Sequence, residues 1–386
     1  MRRLRAGIIG GGFIGAQHVE AIRRLGYVDV VALAGSSQKS AQAGAAELHI
    51  ERAYGSYAEL LADPEIDVVH NCTPNALHYA VNRAAIEAGK HVISEKPLAM
   101  NAAETASLVE IADRSDRLAA VNFNHRGYPM IQQARAMVGA GQLGAVRLLH
   151  GAYLQDWLLY QTDWNWRLDP EAGGASRAVA DIGSHWADLI QHVIGQRIVR
   201  VLADLQTVVP QRKRPIRAPQ TFGGSAQSAP SEEVTITTED YAAILFQTDR
   251  GAHGVFSVSQ VSAGHKNQLT FEINGATASA RWDAESPNEL WLGYRDQANQ
   301  VLTKDPALVA PEVKAYTHLP GGHAEAWPDA LKNVMAEIYA AALAGRATPT
   351  PAQAFATFRD GHQAALLVDA ILESAQRGAW VDVLSG

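Results

Sequence analysis

Across the first ~120 residues, short apolar runs alternate with stretches of helical periodicity, the pattern of a parallel α/β sheet. Ala6–Gly10 reads as a buried strand, Phe13–Leu25 as a helix and Val28–Leu33 as a second strand. Ser40–Leu48 is Ala-rich and predicts a helix, and Tyr57–Leu61 a short one stopped near Asp63-Pro64. Val68–Cys72 is strand-like and ends at Thr73-Pro74-Asn75. Leu77–Ala88 is helical and closes at Gly89, an ordinary helix stop. His91–Ser94, Ala102–Arg114 and Leu118–Phe123 continue as strand, helix and strand.

The pattern then changes. Pro129–Val138 predicts a helix that leads out of the first domain. From about Val146 the strands lengthen and alternate in polarity, as in Val199–Val208, Val234–Phe246, Ala252–Gln260 and Gln268–Ile273. Such strands bury one face only, which argues for an antiparallel or mixed sheet with helices on one side. Asn274-Gly275 between two strand-like runs signals a hairpin. Helices return at Ala324–Ala344 and Pro351–Arg377. Two α/β domains are therefore expected, over 1–124 and 125–386. The Pro210–Ser231 segment, rich in Pro, Gly, Ser and Gln, reads as a long solvated loop. It carries a basic cluster, Arg212, Lys213, Arg214 and Arg217; a flap or a subunit contact is the alternative.

Composition narrows the classes. The 386 residues are 47% hydrophobic and 19% charged, ordinary for a globular chain long enough for two cores. A formal net charge of −7 argues against a nucleic-acid partner. Cys72 is the one cysteine, so an intramolecular disulfide and a multi-cysteine zinc site are excluded, and a reducing compartment fits. No stretch approaches the ~20 apolar residues of a membrane span. The N-terminal apolar run is cut by glycines too early for a signal peptide, so a cytoplasmic protein with no membrane partner is expected.

The glycines themselves carry chemistry. Gly10, Gly12 and Gly15 form G-x-G-x-x-G around Phe13 and Ile14, after a strand and opening a helix. In that setting the first glycine allows the tight turn, the second lets backbone approach a diphosphate, and the third packs helix on strand. The helix N-terminus then holds the diphosphate. These residues predict a Rossmann domain binding NAD or NADP. The second strand ends in Ala34-Gly35-Ser36-Ser37-Gln38-Lys39, with no carboxylate for the ribose hydroxyls. Ser36, Ser37 and Lys39 suit a 2′-phosphate, which tips the expectation slightly to NADP. Thr73, Asn75 and His78 follow another strand at the same sheet edge as cofactor neighbours; they read equally as a turn and a helix start.

Glu95-Lys96-Pro97 ends a further strand on that edge, where the Lys96 ammonium can bind a hydroxyl and stabilise an alkoxide. Asp181 and His185 lie four apart on a helical pattern; His185 suits proton transfer, with Asp181 orienting it or the substrate. The pair reads equally well as an N-cap aspartate and a helix-face histidine. It lacks a third metal ligand, and no metal site is expected. Trp157, Trp164, Trp166 and Trp186 cluster within 157–186, as ring-stacking platforms or as core. Trp157 is retained as a substrate contact, with Asn124 after the Leu118–Phe123 strand and His323 after Gly321-Gly322. Arg167, beside Trp166, is within reach of cofactor or substrate.

Taken together, Gly10-x-Gly12-x-x-Gly15, Glu95-Lys96-Pro97 and Asp181-x-x-x-His185 resemble the Gfo/Idh/MocA oxidoreductases over essentially the whole chain. The resemblance implies an N-terminal Rossmann domain and a C-terminal α/β domain with a large open, mainly antiparallel sheet. That sheet often serves oligomer contacts, so a homodimer or homotetramer is expected. Inositol dehydrogenases of this family carry the same lysine and Asp-x-x-x-His pair. Lys96 is thus implied to bind the reacting hydroxyl, with His185 as acid/base and Asp181 as its partner. The turn at Ala34–Lys39 is similar to an NADP-binding turn of the family, and Trp166-Arg167 to a Trp-Arg pair near the cofactor. The stretch from Trp157 to His185 looks like sugar dehydrogenases of the levoglucosan and glucoside-3-dehydrogenase type. The expected activity is oxidation of a secondary hydroxyl on a sugar, sugar derivative or cyclitol. A ketose or anhydro-sugar reductase, a redox-neutral glycoside-cleaving enzyme and a non-catalytic sensor on the same fold are the alternatives.

Overall fold

A computed structural model describes residues 3–216, 230–347, 350 and 353–384 of the chain. These divide into two compact units, one drawn from Met1–Tyr128 with Glu325–Gln363, the other from Pro129–Ala324 with Ala364–Gly386.

The first unit opens with β1 (Leu4–Ile9), α1 (Phe13–Leu25), β2 (Val28–Ala34), α2 (Gln38–Glu47), β3 (Arg52–Tyr54) and α3 (Tyr57–Ala62). It continues with β4 (Val68–Asn71), α4 (Asn75–Glu87), β5 (His91–Ser94), α5 (Ala102–Asp113) and β6 (Ala119–Val121). The strands pair in parallel in the order β6-β5-β4-β1-β2-β3. This is the doubly wound order, whose ligand crevice lies outside the carboxyl ends beside β1 and β4. Both faces of the sheet are covered, so β4 and β5 are buried throughout. Local signals set the helix ends: Ser37, Ser56 and Asn101 cap α2, α3 and α5, and Gly26 in the left-handed region closes α1. α4 begins two residues before the periodicity predicts, directly behind Pro74.

The second unit begins with α6 (Pro129–Gly139), β7 (Val146–Leu154), α7 (Pro170–Gly173) and α8 (Ser184–Ile194). Then follow β8 (Ile198–Gln206), β9 (Gln211–Pro215), β10 (Ser231–Thr235), β11 (Tyr241–Thr248), β12 (His253–Ser259), β13 (Gln268–Gly275), β14 (Ser279–Asp283), β15 (Glu289–Gly293) and β16 (Gln300–Thr303). The large sheet runs β16-β15-β14-β13-β7-β12-β11-β8, with β7 and β12 parallel and the other neighbours antiparallel. It is the large, mainly antiparallel sheet expected.

Three details differ from the pattern reading. Val234–Phe246 is not one strand: Glu239 and Asp240 leave the ladder because their carboxylates accept bonds from Ser176, Arg177, Val179 and Arg212. The ends of the expected 210–231 loop pair as an antiparallel ribbon, β9 with β10. Arg212 is there fully buried rather than solvated, because it satisfies Asp240 and the carbonyls of Leu158 and Tyr160; Arg217 lies outside the described residues. The hairpin signalled by Asn274-Gly275 forms, but both residues stay in β13 and the reversal falls on 276–278.

The chain ends with α9 (Trp327–Leu343), β17 (Ala356–Thr357), α10 (Phe358–Arg377) and β18 (Val381–Asp382). The single boundary expected at 124/125 misses that Glu325–Gln363 joins the first unit. α9 buries Leu331, Val334, Met335 and Ile338 in the same core as Val19 and Ile22 of α1. β17 adds an antiparallel strand beside β6, and β18 pairs antiparallel with β8.

Candidate active site

The turn after β1 has the geometry its glycines predict. Gly10 sits at φ 100°, and a Cβ there would meet the Cys72 carbonyl at 2.5 Å. A Cβ on Gly15 would meet the Gly10 carbonyl at 2.1 Å. Around Gly12, by contrast, a Cβ would meet nothing within 4 Å. Gly12 caps α1 without a side-chain bond, and the first turn has no acidic residue. Phe13 is exposed and Ile14 half-buried beside this opening. An open helix N-terminus of this kind, floored by backbone that tolerates no side chain, fits a dinucleotide diphosphate.

At the end of β2, Gly35 is forced by its neighbours, since a Cβ would lie 2.6 Å from Ser40 Oγ. Ser36 and Lys39 are exposed. Ser37 is exposed too, but its hydroxyl works in the α2 cap, accepting from Ser40 N–H and bonding Ser40 Oγ at 3.1 Å. After β4, Thr73 Oγ1 bonds Asn71 Oδ1 at 2.7 Å, and Asn75 is buried in the first turn of α4. His78 sets both ring nitrogens against carbonyls, Pro97 O at 2.6 Å and Thr73 O at 2.8 Å. Its ring thus lies between two edge loops.

Glu95 and Lys96 follow β5 on the same edge, and the Lys96-Pro97 peptide is cis. Lys96 is half-buried and Glu95 buried. Burial alone raises the Glu95 pKa, but His18, 3.0 Å from Oε1, and Asn122, 2.6 Å from the same atom, outweigh it and hold the carboxyl below its usual range. For His18, burial disfavours the charged ring, yet Cys72 and Glu95 outweigh that and raise its pKa to about 10. Beyond β6 a 3-10 turn, Asn124–Gly127, is buried along its length and includes Asn124 and His125. Burial first, then the Lys96 charge, pulls the His125 pKa down to about 3, so its ring is neutral at physiological pH. Arg126 is anchored to Asp360 at 3.2 Å.

In the second unit, Asp181 lies inside a π-helical turn, Val179–Gly183, that runs into α8. It is not an N-cap. Its Oδ1 accepts from Arg167 Nε at 3.1 Å and its Oδ2 from Gln260 Nε2 at 2.9 Å. Arg167 also lies over the Trp166 ring, 4.4 Å from the centroid. The Trp-Arg pair is thus engaged with the Asp181 carboxylate. His185 is buried, its ring 6.4 Å from that of Tyr153. π-turns of this kind recur at functional sites.

The tryptophans separate by role. Trp186 is core: it stacks on Phe256 at 4.3 Å and donates to Thr270 O. Trp157 and Trp164 flank a small cluster of Leu158, Leu168 and Ile236, and Trp157 Nε1 donates to Gln155 at 2.7 Å. The His323 ring is exposed, while its carbonyl is held by the buried Lys304 ammonium.

Several site residues escaped the pattern reading. His18, Asn122 and His125 carry no motif label. A signal existed for His18: it shares the buried stripe Gly15, His18, Val19 and Ile22 of α1, a polar residue on an apolar face. Gln260 meets Asp181 only through folding, and Arg177 meets Gln260 the same way, at sequence separations of 79 and 83 that no pattern reaches.

Family models match both units. One described as an oxidoreductase family with an NAD-binding Rossmann fold covers residues 4–123, and one for the GFO/IDH/MocA C-terminal domain covers 131–281. Levoglucosan dehydrogenase of Pseudarthrobacter phenanthrenivorans is 29% identical over 400 residues, 99% of each chain. A solved levoglucosan dehydrogenase in complex with NADH and L-sorbose superposes at a TM-score of 0.89, with 28% identity over 100% of both chains. An inositol dehydrogenase homologue from Azotobacter vinelandii, complexed with NAD+, superposes at 0.84, with 28% identity over 99% of this chain and 97% of the other. Fold and cradle define an NAD-binding oxidoreductase. The chain belongs to the Gfo/Idh/MocA family.

Proposed function

We propose that this oxidoreductase oxidises a secondary hydroxyl of a sugar, sugar derivative or cyclitol. The observation that carries the reading is Lys96, half-buried at the end of β5, on the same sheet edge as the diphosphate cradle of Gly10–Gly15. A nicotinamide dinucleotide held there by Gly12, the first turn of α1, Thr73 and Asn75 supplies a hydride acceptor. The Lys96 ammonium hydrogen-bonds the substrate hydroxyl and stabilises the oxygen as negative charge develops. His185 takes the hydroxyl proton as general base. Asp181, fixed by Arg167 and Gln260, orients His185 or a neighbouring substrate hydroxyl. The tryptophan-rich stretch and the dehydrogenases it resembles support a carbohydrate-like ring as substrate.

The strand end Ala34–Lys39, without a carboxylate, favours NADP, whereas the NADH and NAD+ complexes of the similar proteins favour NAD. The test is cofactor reduction across a panel of sugars and cyclitols, run with each cofactor. Lys96→Ala and His185→Ala are expected to lower turnover by ~10²-fold or more while cofactor still binds. Near-normal turnover in both variants rejects the assigned chemistry. Substrate consumption without net cofactor reduction would move the assignment to redox-neutral cleavage, and a strong preference for NAD would reject the role given to Lys39.

A further inference from the structure

Beneath the cofactor edge of the first unit lies a chain of buried polar groups that the proposed chemistry leaves unused. His18 projects from α1, one turn beyond Gly15, and is fully buried. Its Nε2 is 3.0 Å from Glu95 Oε1, and its Nδ1 is 2.9 Å from His70 Nδ1 and 3.5 Å from Cys72 Sγ. His70 Nε2 is in turn 2.7 Å from the Tyr339 hydroxyl on α9. Asn122, from the end of β6, donates to the same Glu95 oxygen. Five elements of the unit, α1, β4, β5, β6 and α9, thus meet on one carboxylate and two imidazoles.

Asn122 Nδ2 also lies 3.0 Å from His18 Nε2, but a bare Nε2 accepting from it would set its lone pair against the ionised Glu95 oxygen. Two proton arrangements keep a proton between His18 Nε2 and Glu95. In one, His18 carries protons on both nitrogens, donating to Glu95 and to His70, and His70 donates onward to Tyr339. In the other, Tyr339 donates to His70, His70 donates to His18, and His18 is neutral. The first sets a cation directly against the buried Glu95 carboxylate. The second leaves that carboxylate facing a neutral ring, and an ionised carboxylate buried without a counter-charge is strongly unfavourable. The first arrangement therefore prevails. Because Glu95 directly precedes Lys96, whatever fixes its carboxylate also limits the backbone freedom of Lys96.

We infer that His18 is a positioning residue: as an imidazolium it pins Glu95, and through Glu95 the Lys96 backbone, to the helix that begins at the diphosphate cradle. The inference rests on the reading of Lys96 as the group that meets the reacting hydroxyl. Reacting groups misplaced by about 1 Å lose up to ~10²-fold in rate without losing binding. The His18–Glu95 pair accordingly acts on turnover rather than on affinity.

Neutron diffraction of the wild-type protein tests the proton arrangement directly. Deuterons on both ring nitrogens of His18 are expected, and a singly protonated His18 overturns the inference, whatever any variant does. Kinetics of Glu95→Gln, His18→Gln and the double variant test the consequence. Each single variant is expected to lower kcat by ~10–10²-fold, with substrate KM and cofactor Kd within about threefold of wild type. The double variant is expected to be no worse than the poorer single, because the two residues act as one unit. Folded single variants that bind cofactor and keep kcat within about twofold overturn the inference. Lys96→Ala serves as the control: its near-normal turnover rejects the chemistry itself, whereas an inactive Lys96→Ala beside active pair variants rejects only the positioning role.

Discussion

At the scale of single residues, three glycines in one motif do three jobs, and the coordinates tell them apart. Gly10 and Gly15 are structural, because a side chain at either would run into backbone at 2.5 and 2.1 Å. Gly12 is not, because a side chain there meets open space. Gly12→Ala is therefore expected to cost less than about 1 kcal/mol of stability, the usual price of alanine at a helix cap. The added methyl occupies the space through which a diphosphate approaches the helix N-terminus. Losing one charge-assisted bond there is worth roughly 1.5–3 kcal/mol, or ~10–10²-fold in affinity. Thermal melts and titration of the dinucleotide check both halves; a variant that melts like wild type and binds like wild type would remove Gly12 from the cradle. His78 shows the opposite case, since its buried ring lies between the Thr73 and Pro97 carbonyls.

At the scale of elements, the ribbon of β9 and β10 is held by one buried carboxylate. Asp240 accepts from Arg212 on the ribbon and from Arg177 ahead of the π-turn, and all three side chains are fully buried. Arg177 also donates to Gln260, which donates to Asp181. One hydrogen-bonded path thus runs from the ribbon to a proposed catalytic carboxylate. Asp240→Asn leaves two buried guanidiniums without a counter-charge, and a loss of about 3–5 kcal/mol is expected. Denaturant unfolding measures it, and a change below about 1 kcal/mol would show that the cluster is not a stability centre. The alternation of Val234–Phe246 reads as one strand because polarity patterns do not register that Glu239 and Asp240 turn inward to meet arginines.

At the scale of the molecule, buried histidines set the acid limit of stability. Burial lowers the pKa of His70, His78, His91 and His125, with neighbouring charges adding to or offsetting it, and His125 falls to about 3. In the unfolded chain these groups titrate near ~6.5, so between that pH and their folded values the unfolded state binds more protons. Their contribution is complete above pH ~6.5 and is lost as pH falls, at up to ~1.4 kcal/mol per pH unit for each group. The depressed carboxyls of Glu95 and Asp360 add to the loss only below pH ~4.5. His18 has the opposite sign: raised to about 10, it contributes fully below pH ~6.5 and loses that contribution toward pH 10. Urea unfolding is expected to show falling stability from pH 7 to pH 5, shallower in His125→Gln. A flat profile over that range contradicts the assignment.

Much of the first unit was legible because its signals are local. A glycine turn needs its glycines in sequence, the buried parallel strands carry short apolar runs, and Ser37, Ser56 and Asn101 cap helices from within a few residues. The alternation of strand and helix, the cradle and the place of Lys96 after a strand follow from such short-range rules. What folding alone settled is long-range. Glu325–Gln363 joins the first unit because an apolar helix face packs on whichever core fits it, and periodicity names the face but not the partner. The partners of Asp181, and the burial of Arg212 in a segment that reads as a polar loop, depend on charged and amide groups brought together from residues 167, 177, 240 and 260. The ion pair of His18 with Glu95 spans 77 residues. In sequence a histidine on an apolar stripe and a glutamate before a lysine stand apart, and burial against each other is what turns them into a charged pair.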